Sequence, residues 1–375
     1  MKNKVIRGIT LLVIILSSVV LFLESVSSEK QGKKETVVGT VFIDNTTGIS
    51  YEVIDEINKK VAVKAYSGNA TSVVIPTNIE NNGIEYNVTS IGKKAFFKCD
   101  VLAKIEMPDS VTSIGDYAFR DCSELTKVEM SDSVTSIGSF AFRQCSGLTS
   151  IEIPDSLTCI GYFTFAGCSG LTSIEIPENV TTILNYAFDG CSGLTRIEIP
   201  KGVVNIVAGA FSGCSSLEKI KVDNDNKIYD SRNDCNGIIE TQTNKLIVGC
   251  KNTKIPNSVI SIEGEAFRGC SSLTRIEIPS SVTNIGWHAF FECSGLTSIE
   301  VPSSVISLGA AFKNCLNLEK VIILNDNIEM QASAIFSNID DMGGVSDNNK
   351  VTIYCRENSN AQEYAINNNI KIFSK

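Results

Sequence analysis

The residues of this chain that could do chemistry come in columns. Glu106, Glu129, Glu152, Glu175 and Glu198 stand 23 residues apart, Lys221 interrupts the series, and Glu277 and Glu300 resume it. Two residues before each lies a base or a serine: Lys104, Lys127, Ser150, Ser173, Arg196, Lys219, Arg275, Ser298 and then Lys320. Cysteine keeps the same beat from Cys99 through Cys122, Cys145, Cys168 and Cys191 to Cys214, and again at Cys270, Cys293 and Cys315. A carboxylate ladder could hold a basic protein patch or a divalent cation. Calcium, however, wants six to eight converging oxygens, and one Glu per repeat does not converge. A glycosidase needs two carboxyls of different environment flanking a cleft, which a ladder does not offer. Zinc sites gather four ligands at close spacings, so a cysteine every 23 residues predicts no metal.

Each cysteine follows a phenylalanine by three positions on an apolar face, as in Phe188 and Cys191. A free cysteine in such a place is a small buried hydrophobe. Disulfides between neighbouring repeats require Cα separations under about 7 Å and stay as the alternative. Cys235 and Cys250 lie where the period breaks and form the better candidate pair, while Cys159 and Cys355 stand outside the column. The sole histidine, His288, would have to serve any Ser-His-Asp or Cys-His arrangement. It occupies a slot held elsewhere by Tyr117, Phe140, Phe163, Tyr186, Gly209 and Glu265, which reads as a variable surface position. No phosphate-binding, dinucleotide, HExxH or GxSxG constellation is present. The sequence therefore predicts no catalytic residue, no enzyme, no cofactor and no metal.

The elements that position these columns follow from the period. Recurrence every 20 to 50 residues means stacked repeats. In Leu171-Thr172-Ser173-Ile174-Glu175-Ile176 the apolar residues fall at the first, fourth and sixth positions. Strand alternation sends Ile174 and Ile176 to one face and Ser173 and Glu175 to the other. Pro177 has no N–H to donate and ends the strand. Val180 to Ile183 alternates again, and Tyr186 to Cys191 forms a compact turn with Ala187, Phe188 and Cys191 at helical spacing. Ser192-Gly193 releases the chain into the next strand. One unit has too few apolar residues for a core of its own, so units must stack and share one. The phenylalanine column, Phe96 to Phe211 and Phe267 to Phe312, fills that core.

The wording I-E-I-P, S-V-T-S-I-G-x-x-A-F and C-S-G-L-T at 23-residue spacing resembles the BspA-like leucine-rich repeat proteins, from about Thr36 to the C-terminus. The resemblance implies a leucine-rich repeat solenoid. Its parallel strand sheet would line the concave face, short strands and short helices the convex side, and a β cap the N-terminus. It also implies a secreted or surface-exposed protein, several relatives being adhesins for host matrix proteins or other cells.

In chain order, Lys2, Lys4 and Arg7 precede an apolar run from Ile9 to Leu23, followed by Ser25-Val26-Ser27. Residues 1–27 read as a secretory signal peptide; the run is short of the ~20 residues that span a bilayer, and an uncleaved anchor is the alternative and the only membrane contact expected. Residues 28–35 form a disordered lead-in, 36–72 the β cap, 73–217 regular repeats, 218–254 a modified repeat with a protruding hairpin, 255–323 regular repeats and 324–375 a C-terminal cap. A net charge of −9 argues against nucleic acid, which needs a basic stripe. The face carrying Lys104, Glu106, Lys127, Glu129, Ser150, Glu152, Ser173, Glu175, Arg196, Glu198, Arg275, Glu277, Ser298 and Glu300 is then either a solvated surface whose bases temper the Glu ladder or a platform for an extracellular or cell-surface protein. The stretch from Glu152 to Glu175, with serines in place of bases, is its most acidic part. A self-associating envelope or matrix protein is the second reading.

Overall fold

The structure is a computed structural model that describes residues 37–331, 334–335 and 350–374. The signal segment (1–27), the lead-in (28–35) and residues 336–349 of the C-terminal cap lie outside the described residues. Strands β1 (Val41–Asp44), β2 (Ile49–Asp55) and β3 (Lys60–Tyr66) form an antiparallel meander. The β1–β2 turn is locked by the Asp44 carboxylate, which accepts hydrogen bonds from the Thr46 and Thr47 hydroxyls at 2.6 and 2.7 Å. Alternation in β2 buries Ile49, Tyr51 and Val53 completely. Strand β4 (Ser72–Val74) starts the first repeat, and β5 (Asn78–Asn81) folds back on β6 (Ile84–Ile91) around Asn82-Gly83. β3 pairs in parallel with β6, which ties the meander to the repeats.

From there the chain winds in rungs, each with two strand segments and one turn. One stack pairs Ser113–Ile114 with Ser136–Ile137 and, after a lapse in the ladder, Cys159–Ile160 with Thr182–Ile183 and Asn205–Ile206, parallel and one repeat apart. The other carries the charged columns: β4, Lys104–Glu106 and Lys127–Glu129; then Arg196–Ile199 with Lys219–Val222; then Ser298–Val301, Lys320–Ile323, Thr352–Cys355 and Lys371–Ser374. Its hydrogen-bond ladder lapses at residues 150–153 and 173–176, where Ser173 to Arg196 is the single bridge, and again at 275–278.

The turns are not the short helices expected on this side. Tyr186 (φ 58°) and Gly190 (φ 68°) are left-handed, which stops a helix from propagating. Ala187, Asp189 and Cys191 donate within the turn, to Leu184, Tyr186 and Phe188. The alternate residues Phe188 and Gly190 donate to Ala210 and Ser212 of the next rung. The turns are thus stacked β-turns, hydrogen-bonded along the solenoid as its strands are. Among the described residues the only α-helix is α1 (Asn360–Asn367), capped by Ser359 in the C-terminal unit.

The core follows the sequence columns. Phe96, Phe119, Phe142, Phe165, Phe188 and Phe211 stack face on face at 5.1 to 5.6 Å, and Phe267, Phe290 and Phe312 at 4.9 and 5.2 Å. The thiols of Cys122, Cys145, Cys168, Cys191, Cys214, Cys293 and Cys315 donate to the phenylalanine carbonyl of the preceding rung, from Cys122 to Phe96 (2.9 Å) through Cys315 to Phe290 (3.1 Å). Both series break between Phe211 and Phe267, where the period breaks. The hairpin there, Gly237–Glu240 with Lys245–Gly249, does not protrude. Ile238, Ile239, Leu246 and Val248 are buried, and Lys245–Gly249 pairs in parallel with Ser261–Ile262. Its apolar alternation earns it a place in the sheet. Gly249 lies so close to Phe267 that a Cβ would meet the ring at 2.1 Å. The turn column passes the insertion by, since Gly213 N–H donates directly to Arg268 O at 2.8 Å.

Truncating one ring tests the shared core. Phe142→Ala removes a fully buried side chain stacked on both sides, and about 3–5 kcal/mol of unfolding free energy should go with it. Urea unfolding of the variant measures the loss; a shift below ~1 kcal/mol would show that the rungs do not share a packed column.

Candidate functional site

The strand face gathers all the sequence-predicted polar positions on one side, and it sorts them. In the first two regular rungs the charges neutralise themselves: Lys104 pairs with Glu106 and reaches Glu129 at 3.4 Å, and Lys127 pairs with Glu129. Hydrogen bonding from Lys127, reinforced by the charge of Lys104, holds the Glu129 carboxyl below its ordinary range. The next two rungs carry Ser150 and Ser173, so Glu152 and Glu175 stand exposed without an ion pair. In the two after that, Lys221 takes Glu198 at 2.5 Å and leaves Arg196 and Lys219 exposed and unpaired. Arg275, Glu277 and Glu300 are exposed farther on, and Ser298 is half-buried.

Along this face runs a chain of open depressions that share lining residues in succession. The first, of 340 Å³, is lined by Ser150, Glu152, Ser173 and Glu175. A second, of 710 Å³, joins Glu175 to Arg196, Glu198, Lys219 and Lys221. A third, of 980 Å³, continues from Lys219 to Asp230, Arg232, Asn236 and Asn252. A fourth, of 810 Å³, links Asn236 to Lys251, Lys254, Arg275 and Glu277. The contribution of the insertion to this trough is not legible in the period. The only sequence signal was its Asp- and Asn-rich composition, which fits hydrogen-bonding turns: Asn226 bonds Pro200 O and Val203 O, and Asp230 clamps Arg232 at 2.6 Å.

The other candidate chemistry is walled in. Burial pushes the thiols of Cys145, Cys270 and Cys315 up to about 12 and those of Cys168, Cys191, Cys214 and Cys293 well above the ordinary thiol range. Such thiols do not ionise near neutrality and are poor nucleophiles. The disulfide considered for Cys235 and Cys250 is not formed: both are free, and their sulfurs face different carbonyls, Gly237 O at 3.6 Å and Asn236 O at 3.3 Å. Among the described residues no three His, Cys, Asp or Glu side chains are grouped to hold a metal.

His288 lies between Trp287 and Phe291, and its Nδ1 is buried without a partner. Burial, then the nearby Arg268 and Lys313, push it down to about 4. No group orients it as a base. Its column is less variable in role than it reads in sequence. Tyr117, Phe140, Phe163 and Tyr186 stack at 4.7 to 4.9 Å, all left-handed. At Gly209 the ring is missing, and Glu265 fills the gap by accepting from Tyr186 Oη at 2.7 Å while Arg268 lies over the Tyr186 ring.

Comparison with known proteins agrees with this architecture. The family model described as BspA type leucine rich repeat region (6 copies) matches residues 70–160, 135–242 and 238–360. The chain belongs to this family. A leucine-rich cell surface protein from Faecalibacterium prausnitzii is 28% identical, with a TM-score of 0.58, over 77% of this chain and 89% of its own. The pneumococcal vaccine antigen PcpA shares the fold at 18% identity and a TM-score of 0.57, over 91% of this chain and 100% of its own. A leucine-rich repeat protein from Eubacterium ventriosum does so at 21% and 0.53, over 85% and 80%. No curated protein matches the chain.

Two outcomes are expected. With a thiol reagent such as DTNB, the native protein should react at the half-buried Cys99, Cys159 and Cys355, and the ten buried cysteines only after unfolding. Fast reaction of the ladder would contradict their enclosure. His288, held near 4 in the fold against 6.5 unfolded, is neutral in both states above that value. Below it the unfolded chain takes the proton first, so stability is lost as pH falls from 6.5 towards 4. His288→Phe should therefore lose less stability than the parent between pH 7 and 4.5, read from urea midpoints.

Proposed function

We propose that this chain is an exported, non-catalytic recognition protein that adheres to a partner macromolecule through its strand face. The observation that carries the reading is the contrast between that face and the rest. The strand face is a polar trough several rungs long with unpaired charges at Glu152, Glu175, Arg196 and Lys219. Ten of the thirteen thiols, by contrast, are buried, and His288 is half-buried with its Nδ1 unpartnered. Open extended surfaces of stacked repeats suit large partners contacted at many weak points. The basic, apolar and small-residue segments at residues 1–27 supply the export signal. The related cell surface protein from Faecalibacterium prausnitzii supports a place outside the cell. The partner class is an extracellular or cell-surface protein, with Ser150, Ser173, Ser298, Glu277, Glu300 and Arg275 as contact positions beside the unpaired charges.

The test is binding of the purified chain to immobilised extracellular-matrix proteins and cell-surface extracts. Glu152→Ala with Glu175→Ala should weaken capture about five- to thirtyfold, as expected for two charge contacts at ~0.5–1 kcal/mol each. Changes on the turn side, such as Asn185→Ala, should leave capture unchanged. Equal capture by the parent and the double variant would remove the strand face from the function.

A further inference from the structure

The unpaired charges of the strand face have an order that fits one partner in particular. Reading along the stack, they run Glu152, Glu175, Arg196, Lys219: two negative rungs, then two positive ones. The rungs before them are self-neutralised by Lys104–Glu106 and Lys127–Glu129, and Glu198 is spent on Lys221. A row that reads minus, minus, plus, plus is its own complement when reversed.

We propose that the partner of this face is a second copy of the chain, docked antiparallel across a two-fold axis between the rung of Glu175 and the rung of Arg196. The inference rests on the strand face being the recognition surface. The axis brings the rung of Glu175 opposite the rung of Arg196 of the second copy and the rung of Glu152 opposite that of its Lys219. The columns keep their places, so the arginine lies over Ser173 and the lysine over Ser150, each about 7 Å along the strand from the glutamate it reaches. Symmetry repeats both pairs. Rungs stand 4.7–4.9 Å apart in both copies, so one alignment satisfies all four pairs together. A parallel arrangement would set like charges face to face, which fixes the orientation. Ser150 and Ser173, where other rungs carry long bases, leave room above the acidic half for the incoming arginine and lysine. The ion pairs would sit in an open trough and be screened by salt. The pairing is weak between single molecules and gains strength when many copies face each other from two surfaces. Adhesion of this protein would then be homophilic.

Charge exchange tests the pairing without a foreign ligand. Sedimentation equilibrium on the exported chain at low salt should show a monomer–dimer equilibrium that weakens at high salt. Glu152→Lys with Glu175→Lys makes the row all positive, and Arg196→Glu with Lys219→Glu makes it all negative. Each variant alone should be monomeric, an equimolar mixture should give a heterodimer, and the fourfold variant should self-associate again. The mixture also shows that both variants are folded. A monomeric parent, a dimer indifferent to these exchanges, or a mixture that stays monomeric would overturn the proposal. If the parent is monomeric yet Glu152→Ala with Glu175→Ala still abolishes capture by matrix proteins, this inference fails while the strand face keeps its recognition role. If neither self-association nor capture depends on those glutamates, both readings fall.

Discussion

Register between rungs is the constraint on which this molecule depends. Strands and turns alike donate hydrogen bonds to the neighbouring rung, as Phe188 N–H does to Ala210 O and Val207 N–H to Ile183 O. With strand and turn both tied along the axis, a one-residue slip would move every side chain of a rung to the wrong face. The period is therefore kept by backbone bonding, and side chains inherit the columns. Phenylalanine rings then stack because they have no other place, and thiols find the same carbonyl on each rung.

The same constraint makes the strand face what it is. Glutamates confined to one column must face each other at rung spacing, where like charges repel. The chain answers this locally with Lys104 and Lys127, and across rungs with Lys221. Where serine replaces the base, the repulsion is left in place and the ladder bonding lapses over two rungs. A surface kept only for solubility would gain by a base at those positions. With Ser150 and Ser173 at those positions, Glu152 and Glu175 are left without an ion pair.

Much of this was legible in the sequence because period maps onto column without any need to know the path between. Which residues share a face, which rings stack and which glutamates lack a base follow from counting. The path itself did not follow. Ala187, Phe188 and Cys191 at three- and four-residue spacing suit a helix, but the same spacing suits β-turns with left-handed residues at Tyr186 and Gly190. Only the donation to the next rung distinguishes them, and that is a long-range bond. The hairpin at Gly237–Gly249 was misplaced for a similar reason: its alternation announced strands, but not that Lys245–Gly249 had a partner waiting at Ser261–Ile262. The Tyr186–Glu265 bond joins residues 79 apart, beyond the reach of any local pattern.

That bond explains how the solenoid survives its own interruption. The buried apolar side chains fall into two clusters, divided at the insertion, with Ile238 and Val248 in one and Ile239 and Leu246 in the other. Two cores joined only by a hairpin would open there independently. On the turn side, however, the rungs of Cys214 and Cys270 touch directly: Gly213 bonds Arg268, and Gly269 packs on Gly213. Glu265 and Arg268 reach over Gly209 to Tyr186 and close the gap in the aromatic column. The extra chain is therefore accommodated away from the turns: its hairpin joins the second strand stack at Ser261–Ile262, while residues from Asp223 to Asn236 and from Lys251 to Lys254 lengthen the trough between Lys219 and Arg275. Closure of the turns and extension beside the strands let the insertion enlarge the trough while the stack stays continuous.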